Sequence, residues 1–138
     1  MQQDCIFCRI AAGETPCFML YEDEFTAAFM DINPASPGHA LAIPKRHFPD
    51  LYQLPADLLA ATAATAQKVA VAVSAALEPA GLNLVQANGP GAAQSVLHFH
   101  LHILPRGDRD GMRLNWGLQP GDMSQIEQIY KCVRARLD

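Results

Sequence analysis

The chain has 138 residues, half of them apolar and 17% charged. That is the size of one domain, and it fits neither a disordered tail nor a membrane bundle. Ten Lys and Arg against fourteen Asp and Glu give a net charge of −4, which argues against a dedicated nucleic-acid binder. A local anion site remains open, because backbone N–H groups and histidines can hold a phosphate inside an acidic protein. A chain of this length buries roughly 65–70% of its unfolded surface and needs no disulfide to fold.

The N-terminus, Met1-Gln2-Gln3-Asp4-Cys5, has neither a basic stretch nor an apolar run. No signal peptide is expected, and the predicted compartment is the cytoplasm. There, four cysteines read as thiols or metal ligands rather than a disulfide framework. Residues 5–12 predict a short helical turn ending at Gly13. Phe18–Glu22 and Phe25–Met30 predict two strands joined at Glu22-Asp23-Glu24. Asn33-Pro34 breaks the run, and Ala40–Pro44 follows as a third strand. Leu58, Thr62, Ala66, Val69, Val73 and Leu77 recur at helical spacing and predict a long helix over 56–77, with Pro55 suited to its first turn. Asp57, Gln67 and Lys68 interrupt this segment, which makes it a poor transmembrane candidate. Leu82–Ala87 predicts a strand, Asn88-Gly89-Pro90-Gly91 a tight loop, and Val96–Pro105 the next strand. A last helix is expected from Asp122 or Ser124, the latter forming a capping box with Glu127. Its apolar face is Ile126, Ile129, Val133 and Leu137. The order strands, helix, strands, helix, with short links, predicts one antiparallel α+β domain over 1–138, with about five strands.

The strongest chemical feature is His98-Phe99-His100-Leu101-His102. Strand alternation sends the three histidines to one face, and Phe99, Leu101 and Ile103 to the core. An imidazole titrates near neutrality, so it can attack, donate or accept a proton at working pH. The loop Asn88–Ser95 lacks the Gly-Lys-Ser/Thr ending of a P-loop. Its glycines still let backbone N–H groups approach a phosphate, and Ser95 offers a hydroxyl three residues before His98. Cys5 and Cys8 form a Cys-x-x-Cys pair whose two thiolates one metal ion can bridge; a redox pair or two unconnected thiols are the alternatives. Asp108 and Asp110 lack the twelfth-position Glu of a calcium loop. Cys17 and Cys132 read as partly buried thiols, and His39 as structural.

His-φ-His-φ-His-φ-φ, with φ apolar, resembles the signature of the histidine-triad family of nucleotide hydrolases and transferases. Asp4-Cys5-Ile6-Phe7-Cys8-Arg9-Ile10 with Gly13-Glu14-Thr15-Pro16 is similar to that family's opening segment. Phe29–Pro34, Pro37-Gly38-His39, Ile43–His47 and Asn88–Ser95 resemble its further blocks in order, so the resemblance spans about residues 4–106. It implies a purine-nucleotide substrate and attack on the α-phosphorus by His100, giving a nucleotidyl-histidine that water then hydrolyses. His102 is implied in holding and polarising the phosphate. His98 completes the triad, and Ser95 and Asn88 would contact the phosphate or leaving group. Asp31 would accept from the ribose hydroxyls. Ile6, Phe7, Ile10, Phe29 and Ile32 would wall the base, although read alone they are ordinary core. A structural zinc on Cys5, Cys8, His47 and His98, a homodimer with the helix 56–77 near the contact, and a weak specificity role for Trp116 are further implications. A histidine at 102 argues against the transferase branch, which carries glutamine there. The leaving group stays open between an amine, as in phosphoramidase-like members, and a nucleotide, as in dinucleoside polyphosphate hydrolases. A nucleotide-binding adaptor with little turnover and an all-histidine zinc module are the competing readings.

Overall fold

The computed structural model describes residues 2–114 and 117–137. Helix α1 (Ile6–Ala11) is followed by strands β1 (Met19–Glu22), β2 (Thr26–Met30) and β3 (Ala40–Pro44), then by the long helix α2 (Ala56–Leu77). Strands β4 (Gly81–Val85) and β5 (Leu101–Arg106) and helix α3 (Met123–Arg134) complete the order. The sheet runs β1-β2-β3-β5-β4 and is antiparallel at every pairing.

Both faces of the central strands are covered, which explains why β2 and β3 are buried almost throughout rather than alternating with solvent. On one face, Ala28, Ala40 and Ala42 meet Ala66, Val69 and Val73 of α2, with Ile103 between them. The alanines are small enough to bring the helix close. A 2.7 Å hydrogen bond between the Thr26 and Thr65 hydroxyls satisfies two buried polar groups where β2 passes under α2. On the other face, Ala27, Phe29, Leu41 and Ile43 receive Phe7 and Ile10 of α1. Leu77, expected on the inner face of α2, is half-exposed. A Cβ at Gly38 would collide with Leu77. Gly38 has φ of +91°, so it turns the chain into β3 at a point where no side chain fits.

Several expectations shift, the end of β4 at Val85 rather than Ala87 among them. Strand β5 begins at Leu101, not Val96. The chain before it is tied to the segment after β3: the Phe99 N–H donates to the Phe48 carbonyl at 2.7 Å. The predicted alternation survives outside the strand. Phe99 packs with Leu54 and Leu58 toward α2, while the rings of His98 and His100 lie 5.9 and 5.1 Å from Phe7 on the α1 side. The cap of α3 is Asp122, whose carboxylate accepts the Ser124 and Gln125 N–H groups. The capping box is therefore absent, and Glu127 pairs with Lys131 instead. Helix α3 buries none of its residues, so Ile126, Ile129 and Val133 of its apolar face stand exposed, and Leu137, expected on that face, lies beyond the helix end and is exposed as well. Cys132, expected to be partly buried, is exposed on it.

Candidate functional site

A cleft of about 500 Å³ opens on the α1 side of the sheet. Helix α1 supplies Ile6, Phe7 and Ile10 to it, because a capping contact from the Cys8 N–H to the Cys5 sulfur starts the helix here. The end of β2 supplies Phe29, then Asp31 and Ile32, and the last histidines supply His100 and His102, with Ser95 at the rim. The apolar wall and the polar end are thus brought into one cavity. Ile32 lines it while remaining three-quarters exposed, at 76%. Two sequence candidates lie elsewhere. Asn88 does not line the cleft: its carbonyl accepts the Leu51 N–H at 2.8 Å, and its amide pairs with Gln86. His98 turns away from the cleft, toward the two cysteines. Trp116 lies outside the described residues.

Hydrogen-bond partners fix the histidine tautomers. The His100 Nδ1 sits 2.7 Å from the His98 carbonyl. A carbonyl only accepts, so Nδ1 carries the proton and Nε2 keeps its lone pair. Burial pushes the His100 pKa below its ordinary value, so this neutral form persists at pH 7. A second chain of bonds sets His102. The Ala35 N–H donates to His39 Nδ1 at 3.0 Å, leaving His39 with its proton on Nε2. That proton is donated to His102 Nδ1 at 2.9 Å, and Asp31 lies 3.5 Å from the same His39 nitrogen. His102 must then carry its own proton on Nε2. Burial holds its pKa down to about 4, with His100 and His39 adding to the effect. The cleft therefore presents one imidazole that can attack and one that can donate, 4.7 Å apart between ring centres.

His39 was the residue that sequence reasoning passed over. Its only signal was a histidine after Pro-Gly, and its partner is 63 residues away. Asp31, His39 and His102 are also close enough for one metal ion. The Ala35 N–H donates to His39 Nδ1, which puts the ring proton on Nε2, the nitrogen that faces Asp31 and His102, so a proton, not a metal, suits this bridge.

Cys5, Cys8, His47 and His98 form the second cluster, with all four donor atoms within 4.8 Å of one another. Sulfur-to-nitrogen separations are 3.5 Å from Cys5 and from Cys8 to His98 Nδ1, and 3.4 Å from Cys8 to His47 Nδ1. The two Nδ1 atoms are 3.2 Å apart. A tetrahedral zinc with ordinary bond lengths needs edges of about 3.5 and about 3.3 Å respectively, so the donor set fits that ion. The His98 Nε2 donates to the Pro44 carbonyl at 2.7 Å. This is the outer contact that leaves Nδ1 bare and fixes the ring for a metal. Burial lowers the His98 pKa to about 4, keeping the ring in the neutral form a metal requires.

A larger cleft of about 670 Å³ lies at Arg106–Leu114 and holds none of these groups. Asp110, in the segment that faintly suggested calcium, is engaged by Arg106 at 2.6 Å and by the N–H groups of Gly107 and Met112.

Comparison with known proteins agrees with this geometry. The HIT domain family matches residues 12–109. Adenylylsulfatase HINT3 of Arabidopsis thaliana is 37% identical over 140 residues, covering 99% of this chain and 71% of that protein. Adenosine 5'-monophosphoramidase HNT1 of Saccharomyces cerevisiae is 36% identical over 135 residues, covering 97% and 83%. The crystal structure of a zinc-bound histidine triad family protein from Mycobacterium smegmatis superposes with a TM-score of 0.75 at 34% identity, covering 98% and 96%. With residues 12–109 matched by the family and relatives 37% and 36% identical over nearly all of its length, the chain belongs to the HIT family.

Proposed function

We propose that this protein hydrolyses purine nucleotides at the α-phosphorus through a nucleotidyl intermediate on His100, with adenosine 5'-phosphoramidates as its substrate class. The observation that carries this is the His100 tautomer. A neutral imidazole with its Nδ1 proton committed to the His98 carbonyl attacks without a separate base. Its Nε2 lone pair forms a bond to phosphorus as the bond to the leaving nitrogen breaks, and that nitrogen takes a proton from solvent and departs as an amine, a proton that the attacking water returns to solvent in the next step. Water then attacks the phosphorus, the P–N bond to His100 breaks, and nucleoside monophosphate leaves. The His102 Nε2–H is available to a phosphate oxygen in both steps. Asp31 faces the ribose, and the apolar wall the base.

The cleft lining also bears on the leaving group. Among the described residues it contains histidines and Asp31 but no lysine or arginine. A polyphosphate leaving group would bring several negative charges to a cleft without a fixed cation, whereas an amine brings none. The relatives named as an adenosine monophosphoramidase and an adenylylsulfatase support α-phosphorus chemistry on adenine nucleotides. Rates on an adenosine phosphoramidate and on a dinucleoside tetraphosphate, with wild type and His100→Ala, test the reading. The phosphoramidate should be much the faster substrate, and His100→Ala should be inactive on both. An acid-labile adduct trapped on His98 or His102, or an active His100→Ala, would overturn it.

The same reading includes zinc on Cys5, Cys8, His47 and His98, a cytoplasmic setting that keeps the thiols reduced, and a homodimer. The zinc, when bound, supplies a cross-link rather than a reacting group: it fastens α1 to the chain before β5. Protein purified without chelator should carry about one zinc per chain. It should lose the metal, and melt lower, in Cys5→Ser and in Cys8→Ser. Metal-free protein with unchanged melting would remove the site.

A further inference from the structure

Resting on that hydrolase reading, we propose that Gln94 is a positioning residue that holds the Ser95 hydroxyl at the leaving-group side of the phosphate. Ser95 lines the cleft, yet its hydroxyl makes no hydrogen bond among the described residues. Only the backbone determines where it stands. That backbone belongs to no helix or strand, because regular structure stops after Ala92 and resumes at Leu101. Ladder bonds therefore do not fix it.

The Gln94 side chain does so instead. Its Oε1 accepts the Gly89 N–H at 2.8 Å. Its Nε2 donates to the Pro49 carbonyl at 2.6 Å and to the Val96 carbonyl at 3.1 Å. Both amide hydrogens and the amide oxygen are used, and the Gln94 backbone N–H returns a bond to the Gly89 carbonyl at 3.1 Å. One primary amide thus joins three stretches of chain: the glycine loop, the segment after His47, and the chain leading to His98 and His100. The bond to Val96 closes over Ser95, the residue between. No other side-chain type of this size offers two donors and an acceptor on one rigid plane. A serine held this way is poised for an atom that develops charge only as the bond breaks. Its loss should then appear in turnover rather than in nucleotide affinity.

A double-mutant cycle tests this. Gln94→Glu keeps the shape but turns an oxygen toward the Pro49 and Val96 carbonyls. Gln94→Met keeps the length and removes the bonds without adding charge. In the wild-type background each should lower kcat on an adenosine phosphoramidate by roughly 10–100-fold. KM and the AMP dissociation constant should stay within about threefold. In a Ser95→Ala background the same changes should cost less than about threefold, because the group they act through is gone. An equal penalty in both backgrounds, or KM and AMP affinity worsening in step with kcat, would overturn the proposal. So would a Ser95→Ala enzyme running at the wild-type rate. If Gln94→Glu alone unfolds, Gln94→Met decides. If both unfold, Gln94 holds the domain together rather than the serine, and the proposal is wrong. His100→Ala separates the two levels. Wild-type activity there sinks the hydrolase reading and this proposal with it, whereas an inactive His100→Ala beside fully active Gln94 variants sinks this proposal alone.

Discussion

At the scale of single residues, the site depends on where four imidazole protons sit. His39 never faces the phosphorus in this scheme, yet its Nε2–H decides that His102 keeps a proton to donate. Removing it in His39→Ala frees His102 to rest with its proton on Nδ1, turned from the phosphate. Turnover should fall by roughly 10–100-fold, the scale of a weakened hydrogen-bond donor to the developing charge, with AMP affinity little changed. The pH profile gives a second readout. Burial and the neighbouring rings hold the His102 pKa near 4, and burial also lowers that of the nucleophile His100, so the acid limb of the wild-type rate should lie below the ordinary imidazole value of 6.5. The stability this group contributes is likewise whole above pH 6.5 and lost as pH falls toward 4. In His39→Ala one source of repulsion is gone, so the acid limb of the rate profile should move upward. An unshifted limb with unchanged kcat would show that His39 only packs the turn at Gly38. His100 and His102 were legible because alternation over five residues is a local signal. His39 was not, because a hydrogen bond between strands leaves no mark on either stretch of sequence. The partners of Asn88, Leu51 and Gln86, were not legible either: adjacency to the triad in sequence says nothing about which way an amide points.

At the scale of elements, most boundaries followed from local chemistry, and the exceptions have local causes. The β1–β2 hairpin closes on Asp23. Its carboxylate accepts from the N–H groups of Phe25 and Thr26 and from the hydroxyls of Thr26 and Tyr21. Burial pushes the Asp23 pKa up, but these four donors together hold it below the ordinary carboxylate value. A depressed carboxyl pKa adds stability that is present at neutral pH and fades as pH falls below about 4. Asp23→Ala should therefore destabilise the fold by about 1–2 kcal/mol at pH 7, and by little at pH 3, without changing kcat. Asp23→Asn should recover much of the loss, since one oxygen still accepts the two N–H groups. Equal loss in both variants would mean that charge, not turn geometry, matters here. The turn was legible as Glu-Asp-Glu between two apolar runs. The start of β5 was not, since the run from Val96 reads as one continuous strand. Only the pull of the Pro44 and Phe48 carbonyls on His98 and Phe99 draws those residues out of the ladder. The α3 start had two candidate caps, and the carboxylate of Asp122, by accepting the Ser124 and Gln125 N–H groups, starts the helix one residue before Ser124 and leaves that serine inside the first turn.

At the scale of the whole molecule, the surface carries more apolar side chain than one copy covers. The inner face of α2 is spent on the sheet, and Ala60, Ala63, Ala64, Gln67, Val71 and Ala75 line the outer face, all exposed. Val71 is 66% exposed and Leu84, on the edge strand β4, 50%. By length and mean hydropathy α2 could cross a membrane, but its buried residues, from Leu58 to Val73, are those of a core helix. A sequence apolar on both sides of a helix is the mark of one covered on both sides. The alanines would let a second α2 approach closely, and the open edge of β4 offers unpaired backbone groups to a second sheet. The unburied face of α3 adds further area. In the proposed homodimer a second copy of the chain would supply matching surfaces for all three by symmetry. Light scattering at micromolar concentration should accordingly give twice the 15.0 kDa of one chain. Val71→Glu puts a charge in the middle of the α2 stripe, where a buried partner would leave it without water or a counter-charge. It should shift the protein toward monomer and lower its melting temperature in a concentration-dependent way. The control Lys131→Glu, on the polar side of α3, should leave the mass unchanged. A wild-type monomer would remove the dimer, and a Val71→Glu dimer of undiminished stability would move the contact off α2.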